Sequence, residues 1–299
     1  MGDLLIFFNF YFLPGLVLGS IYALGAIGVS LVFGILRFAH FAHGDLMSVG
    51  AFIALAVVGA TGISPLYAIP FAIVGTVGIT LGVDKFFYKP FRDKSSIVLV
   101  IASFGVALML RSLILVAWGG EVQTYSVGIT RPLVFFDSVR IAERHIWIIG
   151  LTIVLMLGVH WMLTRTRTGK AMRAVSDSPE LARLAGISTE NVVKATWIVG
   201  GTLCACAGVF IGWDTQLQAT MGWILMLPIF AATILGGIGR PYGAMAGGLI
   251  IGMAEEISAY PWLGDGPLLS PGYKTGIAFA IMVIMLIWRP SGLFRGRVY

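Results

Sequence analysis

Long apolar runs, separated by short polar segments, dominate this chain. Each run is continuously apolar, and about twenty such residues in a helix cross the hydrocarbon of a bilayer. A transmembrane barrel would instead show segments of about ten residues with alternating polarity. The pattern therefore predicts an all-α fold, a polytopic transmembrane helical bundle. We expect nine spans, at 16–36, 46–60, 66–83, 95–118, 145–163, 195–213, 223–238, 245–257 and 273–288.

Two of these runs, 46–60 and 245–257, are short for a full crossing. Irregular backbone at membrane depth occurs where it is buried in protein or lines a cavity. We therefore expect one or two re-entrant or broken helices, and eight spans is the alternative to nine. Because the apolar pattern continues along the sequence, we expect a single transmembrane domain over 1–299.

The composition places the chain in a membrane. Hydrophobic residues make up 58% of it and charged residues 11%, whereas soluble domains carry about 25% charged residues. The 39 glycines exceed the average share, and glycine within apolar helices allows two backbones to approach closely. The composition and the glycine content together predict a packed helical bundle.

The basic residues are distributed unevenly between alternate loops. Segment 84–94 holds four Lys and Arg residues, segment 164–194 holds six, and the tail from 289 holds three. With Arg37 and Arg240, fifteen of the twenty fall on one side. Because Lys and Arg accumulate in cytoplasmic loops, we expect an external N-terminus and a cytoplasmic C-terminus. The net charge of +6 is thus explained without a nucleic-acid partner.

The longest polar connection, 164–194, predicts a short helix of its own. Asp177 or Ser178 can cap it, Pro179 suits the first helical position, and Gly186 suits the left-handed stop. On the two turns between them, Leu181, Leu184 and Ala185 share one face, while Glu180 and Arg183 lie towards the other. Ser188 or Thr189 can cap the next span. So short a helix is marginal in water by itself, and we expect a partner surface to support it.

Three blocks of sequence resemble one family of transporters. Block 19–45 ends in the motif FAHGD, block 169–188 reads GKAMRAVSDSPELARLAGIS, and block 235–255 is rich in glycine. In this order they resemble LivH-type permeases of branched-chain amino acid ABC importers. The first block is similar to the family's opening, the second to its cytoplasmic coupling loop and the third to its C-terminal glycine-rich signature.

The resemblance implies a permease subunit in the bacterial inner membrane that forms half of a translocation pathway. Its implied partners are the lipid bilayer, a homologous LivM-like second permease, two cytoplasmic ABC ATPases and a periplasmic solute-binding protein. The short helix would then be a coupling helix in a groove on an ATPase, with Ala182 at the docking face. The predicted coupling residues are Gly169, Arg173, Ala174, Asp177, Leu181, Ala182, Leu184 and Gly186.

No ATP site is visible in this chain, since the motif G-x-x-x-x-G-K-[ST] does not occur. No catalytic residues and no resident cofactor are expected, and ATP with Mg²⁺ would bind the partner subunits. Branched-chain amino acids are the favoured cargo, with urea, amides or another small organic solute as alternatives. An ion-gradient-driven secondary transporter is the competing class, although few buried acids are available to carry protons or sodium.

The FAHGD motif allows three interpretations. His40, His43 and Asp45 could bind a metal, but a further ligand is not evident, and we expect no metal site. The favoured interpretation is a turn in which Asp45 caps the following helix and His43 and Gly44 shape its end. A direct place in the solute path is the third, because polar residues at membrane depth often mark pathways.

The glycine-rich block also has more than one interpretation. Its spacing is not that of a dinucleotide-binding loop. Gly236, Gly237 and Gly239, followed by Pro241, indicate a discontinuous helix that could line the solute path, while tight helix packing explains the same residues equally well. Arg111 lies within an apolar span, and we expect it to face protein or water.

Overall fold

The computed structural model describes residues 2–125, 133–135, 139–262 and 271–294. A π-helical turn, Phe8–Phe12, joins the first two helices, and a second one, Asp84–Tyr88, follows the fourth. Within the described ranges the helices are α1 Gly2–Phe7, α2 Leu13–Leu36, α3 Ala42–Thr61, α4 Pro65–Val83, α5 Ser96–Trp118, α6 Glu143–Arg165, α7 Arg167–Asp177, α8 Pro179–Leu184, α9 Thr189–Asp214, α10 Met221–Gly236, α11 Pro241–Ile257 and α12 Lys274–Trp288.

Strand is confined, in the described part of the chain, to one small hairpin and one bridge. Strands β1, Leu133–Phe135, and β2, Val139–Ile141, pair antiparallel. The bridge joins Gln123 to Leu217. The all-α membrane fold predicted from the apolar runs is therefore confirmed.

Each of the nine predicted runs forms a helix, but the helices differ in length. Six stretches of the described chain are long and apolar enough to cross a membrane, namely Leu4–Leu36, Ala42–Thr61, Pro65–Phe91, Ser96–Trp118, Glu143–Arg165 and Thr189–Asp214. Helices α10, α11 and α12 have 16, 17 and 15 residues. Of the two runs expected to be short, 46–60 belongs to the 20-residue α3, so that expectation is wrong. The run 245–257 lies in the short α11, as expected. The shortness of α10 and α12 was not predicted.

Helix α2 lies at the centre of the bundle and packs against α9, α10 and α11. Small residues make its contact with α11 very close. A Cβ atom on Gly252 would lie 2.2 Å from the backbone nitrogen of Gly19, and one on Gly248 would lie 2.3 Å from the Cα of Ala23. These glycines therefore serve helix packing, as close approach of membrane helices requires.

Contacts among loops and helix ends mark two ends of the bundle. At one end Lys89 pairs with Glu190, and the Leu293 N–H donates to the carbonyl oxygen of Leu235 at 2.8 Å. At the other end His145 contacts Asp214 at 2.9 Å. Which end faces the cytoplasm stays a prediction.

Candidate translocation and coupling sites

The chain re-enters the bundle between α2 and α3. Arg37 ends α2 in the left-handed conformation, with φ of 56°. The backbone then turns back along α2, because a Cβ atom on Gly28, in the middle of that helix, would lie 2.5 Å from the His43 ring. Helix α3 therefore begins at Ala42, beside the middle of α2. The expected start of this span at residue 46 is corrected to residue 42.

The first turns of α3 and α10 meet inside the bundle. A Cβ atom on Gly44 would lie 2.1 Å from the Gly222 carbonyl oxygen, and one on Gly222 would lie 2.0 Å from the Gly44 carbonyl oxygen. The Gly222 N–H donates to the Ser48 hydroxyl at 3.0 Å. Only glycine at both positions allows the two backbones to touch. We call this contact the α3–α10 junction.

Asp45 does not cap α3, so that prediction is wrong. It lies inside the first turn of the helix, fully buried, and both of its carboxylate oxygens accept hydrogen bonds from Arg111 of α5 at 3.0 Å. A planar guanidinium matches a carboxylate in this bidentate way. Arg111 was expected to face protein or water, and its guanidinium contacts protein through Asp45.

A cluster of aromatic rings surrounds this ion pair. The Phe41 ring stacks on Phe104 at a centroid distance of 4.2 Å and lies 5.0 Å from Phe230. The Arg111 guanidinium lies over the Trp223 ring, 5.2 Å from its centroid, where the ring face attracts a cation. We call Phe41, Phe104, Trp223 and Phe230 the aromatic cluster.

The aromatic cluster is the part of this region that sequence reasoning missed. Trp223 is 38% exposed and the Arg111 side chain 17% exposed, so the cluster reaches the surface of the chain. Arginine in contact with lipid at the centre of a helix costs about 2.5 to 3.5 kcal/mol. This face is therefore suited to protein or water rather than lipid. The available sequence signal was Arg111 itself.

The two histidines lie behind this surface, each about 1% exposed. The His40 Nε2 atom is 2.8 Å from the Tyr88 hydroxyl, and its ring packs edge-on against Trp197. The His43 Nε2 atom is 3.3 Å from the Cys204 sulfur. Among the described residues, no group of three or more His, Cys, Asp and Glu side chains could hold a metal.

The glycine-rich block forms the turn between α10 and α11 and the contact of these two helices. A Cβ atom on Gly236 would lie 2.0 Å from the Gly243 carbonyl oxygen. Gly237 and Gly239 have positive φ, 107° and 77°, which glycine adopts without strain. The break is thus a short turn that ends with Pro241 at the start of α11. These positions are accounted for by packing and turn geometry.

The polar connection contains two helices, of which sequence analysis found one. The expected short helix is α8, Pro179–Leu184. The Ser178 hydroxyl accepts from the Leu181 N–H at 3.4 Å, and Gly186 has φ of 78°, so Ser178 rather than Asp177 is the cap. Ser188 caps α9 in the same way, by accepting from the Asn191 N–H at 3.4 Å.

Helix α7, Arg167–Asp177, was missed. The Thr166 hydroxyl caps it by accepting from the Gly169 N–H at 3.0 Å. Gly169 also brings it against α6, since a Cβ atom there would lie 2.2 Å from the Met162 carbonyl oxygen. The buried Met172 and Val175 lie three residues apart, which is the spacing of a helix face. That spacing was the signal available in the sequence.

Helix α8 has one face against its own chain and one uncovered. Ala182 is 4% exposed, whereas Leu181 and Leu184 are 66% and 85% exposed. The expectation that Ala182 lies at a docking face is therefore wrong, because its methyl group is in the intramolecular contact. Arg173 and Asp177 of α7 are also exposed and Ala174 is half-buried. We call Leu181 and Leu184 the α8 surface.

At the opposite end, Tyr125 ties the loop after α5 to α3. Its hydroxyl donates to the Ala51 carbonyl oxygen at 2.9 Å. Burial raises the pKa of Tyr125 well above its usual range, because the charged phenolate is disfavoured away from water. The hydroxyl therefore remains a donor at any physiological pH.

Comparison with known proteins places this architecture among transport-system permeases. The family model described as branched-chain amino acid transport system / permease component matches residues 11–286. All three blocks singled out in the sequence lie within that range.

Curated relatives match over nearly the whole chain. The high-affinity branched-chain amino acid transport system permease protein BraD of Pseudomonas aeruginosa is 30% identical, over 93% of this chain and 93% of its own length. The corresponding protein LivH of Escherichia coli is 30% identical, over 98% and 97%. The probable branched-chain amino acid transport permease protein LivH of Methanocaldococcus jannaschii is 29% identical, over 93% and 90%.

Among solved structures, a chain of PsaBC from Streptococcus pneumoniae in complex with Fab has a similar fold. Its TM-score is 0.53 at 14% identity, over 93% of this chain and 91% of that one. At this identity the likeness concerns the fold alone.

Proposed function

This chain belongs to the family of branched-chain amino acid transport-system permeases, and we propose that it forms half of the translocation pathway of an ATP-driven importer of branched-chain amino acids. The family membership makes it a transport component of an ABC importer rather than an enzyme. The proposal adds the cargo, the way in which ATP hydrolysis reaches this chain, and the residues that face the pathway.

The observation that carries the proposal is the α8 surface. Leu181 and Leu184 are largely exposed on a helix of six residues, although burying a leucine gains about 1.5 to 3 kcal/mol. The opposite side of α8 is already fixed to the chain through Ala182. A short amphipathic helix held in this way is suited to a hydrophobic groove on a partner. We identify that partner as a cytoplasmic ABC ATPase, and the end of the bundle that carries α7 and α8 as the cytoplasmic end.

The second element of the proposal is the pathway. Arg111 and the aromatic cluster form a surface that is unsuited to lipid, and a homologous LivM-like permease would cover it from the other side. Aromatic rings suit aliphatic side chains, and a guanidinium suits a carboxylate. Asp45 then acts by positioning Arg111, and Gly44 by permitting the α3–α10 junction. Direct contacts of His40, His43, Gly236, Gly237 and Gly239 with cargo stay predictions.

Reconstitution tests the assignment to this class of transporter. Proteoliposomes would contain this chain, its permease partner and the ATPases, with the solute-binding protein outside and ATP inside. We expect uptake of labelled leucine that requires ATP and is not reduced by excess urea. Uptake without the ATPases would overturn the proposal in favour of a secondary transporter. ATP-driven uptake of urea but not of leucine would overturn the assignment of branched-chain amino acids as the cargo.

A matched pair of double variants tests the α8 surface in the same assay. Leu181→Ala with Leu184→Ala should reduce ATP-driven uptake by about tenfold or more, because truncated anchor residues dominate interface energies. Val154→Ala with Leu157→Ala is the control, since these α6 residues have the same spacing and are each 61% exposed. Equal uptake by the two double variants would remove α8 from the coupling role.

The pathway is tested by the cargo dependence of uptake. Trp223→Ala should raise the leucine concentration that gives half-maximal uptake while the protein still assembles. Trp161→Ala, at a position that is 63% exposed on α6, is the control. Unchanged kinetics in Trp223→Ala would place the path elsewhere.

A further inference from the structure

A cavity of about 200 Å³ lies between α2, α6, α7 and the start of α11. It is within this one chain, at the end of the bundle that carries α7 and α8, and its lining residues are different from those of the aromatic cluster. Because one water needs about 10–15 Å³ of this kind of volume, the cavity has room for several waters. A small organic molecule fits such a space.

One wall of the cavity is apolar. Leu31 and Ile35 of α2, Leu163 of α6 and Met172 of α7 line it, and each of these side chains is at most 8% exposed. Aliphatic and thioether side chains of this kind accept a branched aliphatic group.

The same cavity contains a buried polar group without a partner. Ser30 of α2 lines it and is fully buried, and its hydroxyl oxygen has no hydrogen-bond partner among the described residues. On the same helix, the Ser20 hydroxyl donates to the Leu16 carbonyl oxygen at 2.7 Å, which is how a helical serine is usually satisfied. A buried hydroxyl left unpaired is unfavourable by about 1 to 3 kcal/mol. The Ser30 hydroxyl is thus an unpaired polar group in the cavity wall.

The mouth of the cavity presents both signs of charge. Arg173 of α7 and Arg240 line it, together with Asp177. Arg240 is also the first residue before α11, whose N-terminus has no side-chain cap, and the free N–H groups of a helix start attract anions. A carboxylate fits beside the arginines and the helix start.

We propose that this cavity binds an aliphatic amino acid through its carboxylate, from the α7–α8 side, and that binding lowers ATP-driven transport. The inference rests on the proposed function for its cargo and for the role of α8. Only Ser178 separates α7 from α8, so a ligand held between α2, α7 and α11 favours one position of the α8 surface. Since transport requires alternation between states, a ligand that binds one state better slows the cycle.

The first experiment measures binding of L-leucine to the full permease–ATPase assembly without the solute-binding protein. Ser30→Leu should fill the cavity and reduce affinity by about tenfold or more. Leucinamide, which lacks the carboxylate, should bind about tenfold more weakly than leucine to the unmodified assembly. Equal binding of leucine and leucinamide, or unchanged binding in Ser30→Leu, would overturn the proposed site.

A second variant covers the case in which Ser30→Leu does not fold. Gly34 lines the cavity, and a Cβ atom there would be no closer than 3.5 Å to its nearest neighbours, Gly239 and Ser176. Gly34→Ala should therefore fold and narrow the cavity. Gly200→Ala is the matched control outside the cavity, with its nearest neighbour at 3.7 Å from the added Cβ atom.

The second experiment measures inhibition. Proteoliposomes are loaded with ATP and increasing unlabelled leucine on the ATPase side, and the initial rate of labelled leucine uptake is recorded. We expect a decrease of about fivefold or more, with a smaller decrease in Gly34→Ala and the full decrease in Gly200→Ala. ATP-driven uptake that internal leucine leaves unchanged would overturn this inference alone. Absence of ATP-driven leucine uptake at any internal concentration would overturn the proposed function.

Discussion

The α3–α10 junction and the α8 surface both lie on short stretches of helix, but the atoms that surround them differ. At the junction, Gly44 and Gly222 bring two backbones into contact and Asp45 is fully buried. On α8, Leu181 and Leu184 have most of their surface uncovered. The fold of the chain therefore depends on the first region, while the second is uncovered in the described residues and is the proposed docking surface. Substitutions should distinguish the two regions. At the junction we expect large losses of stability, and at α8 we expect a loss of coupling between ATP hydrolysis and uptake without a loss of stability.

The largest loss of stability is expected from Asp45→Asn. It leaves the Arg111 guanidinium, whose side chain is 17% exposed, without its counter-ion, which should decrease the free energy of unfolding by about 3 kcal/mol. Thermal unfolding of the purified chain in detergent measures this. Asp214→Asn makes the same change in a partly exposed carboxylate at the bundle end, where we expect about 0–1 kcal/mol.

The double variant Asp45→Leu with Arg111→Leu sharpens that result. Replacing both members of a buried ion pair by apolar residues is often neutral or stabilising, so stability should recover while transport does not. Recovery of uptake together with stability would give the pair a purely structural role and would remove Arg111 from the proposed pathway.

A smaller loss is expected from Gly44→Ala. The added methyl group would meet the Gly222 carbonyl oxygen at 2.1 Å, and overpacking of this kind is unfavourable by about 1–3 kcal/mol. Gly59→Ala is the control in the same helix, since nothing lies within 4 Å of its added methyl group. We expect that control to be stabilised by about 0.5–1 kcal/mol. Equal melting temperatures for the two variants would contradict the close contact of Gly44 with Gly222.

Gly186→Ala should have a weaker effect again. Its φ of 78° is unfavourable by about 1–2 kcal/mol for a residue with a Cβ atom. The loss should appear at the end of α8, as faster amide exchange there than elsewhere. Gly158→Ala, in α6 and with no atom near its added methyl group, should lack this effect.

The smallest change in stability is expected for the α8 surface itself. Leu181→Ala with Leu184→Ala should change the unfolding free energy of the isolated chain by about 0.5 kcal/mol or less per residue, as for other surface positions. Leu24→Ala, in the fully buried part of α2, should cost about 2–5 kcal/mol. A comparable loss in the α8 double variant would mean that this surface is packed in the isolated chain.

Much of the fold could be predicted from local patterns. Continuous apolar runs predict membrane helices, and the resemblance of three blocks to LivH-type permeases is confirmed by the family match. The cap, proline and glycine of α8 act within a few residues of one another, so Ser178, Pro179 and Gly186 could be interpreted from the sequence alone.

The contacts between distant segments could not be predicted in this way. Asp45 was interpreted as a cap because its neighbours in sequence suggested a turn, yet its partner Arg111 is 66 residues away. Ala182 was assigned to the docking face because a helix of two turns does not show which side its own chain covers. Helix α7 was missed because its apolar residues cover only one side of a polar segment.

The central claim is that the α8 surface is covered by an ATPase, and protection of a cysteine at Leu184 tests it most directly. In a background where buried Cys204 and Cys206 are replaced by alanine, Leu184→Cys would be labelled with a maleimide in the permease pair and in the full assembly. Val122→Cys, at an exposed position on the loop after α5, is the control. We predict strong labelling of Leu184→Cys in the permease pair and little in the full assembly, with Val122→Cys labelled equally in both. Equal labelling of Leu184→Cys in the two preparations would contradict the account.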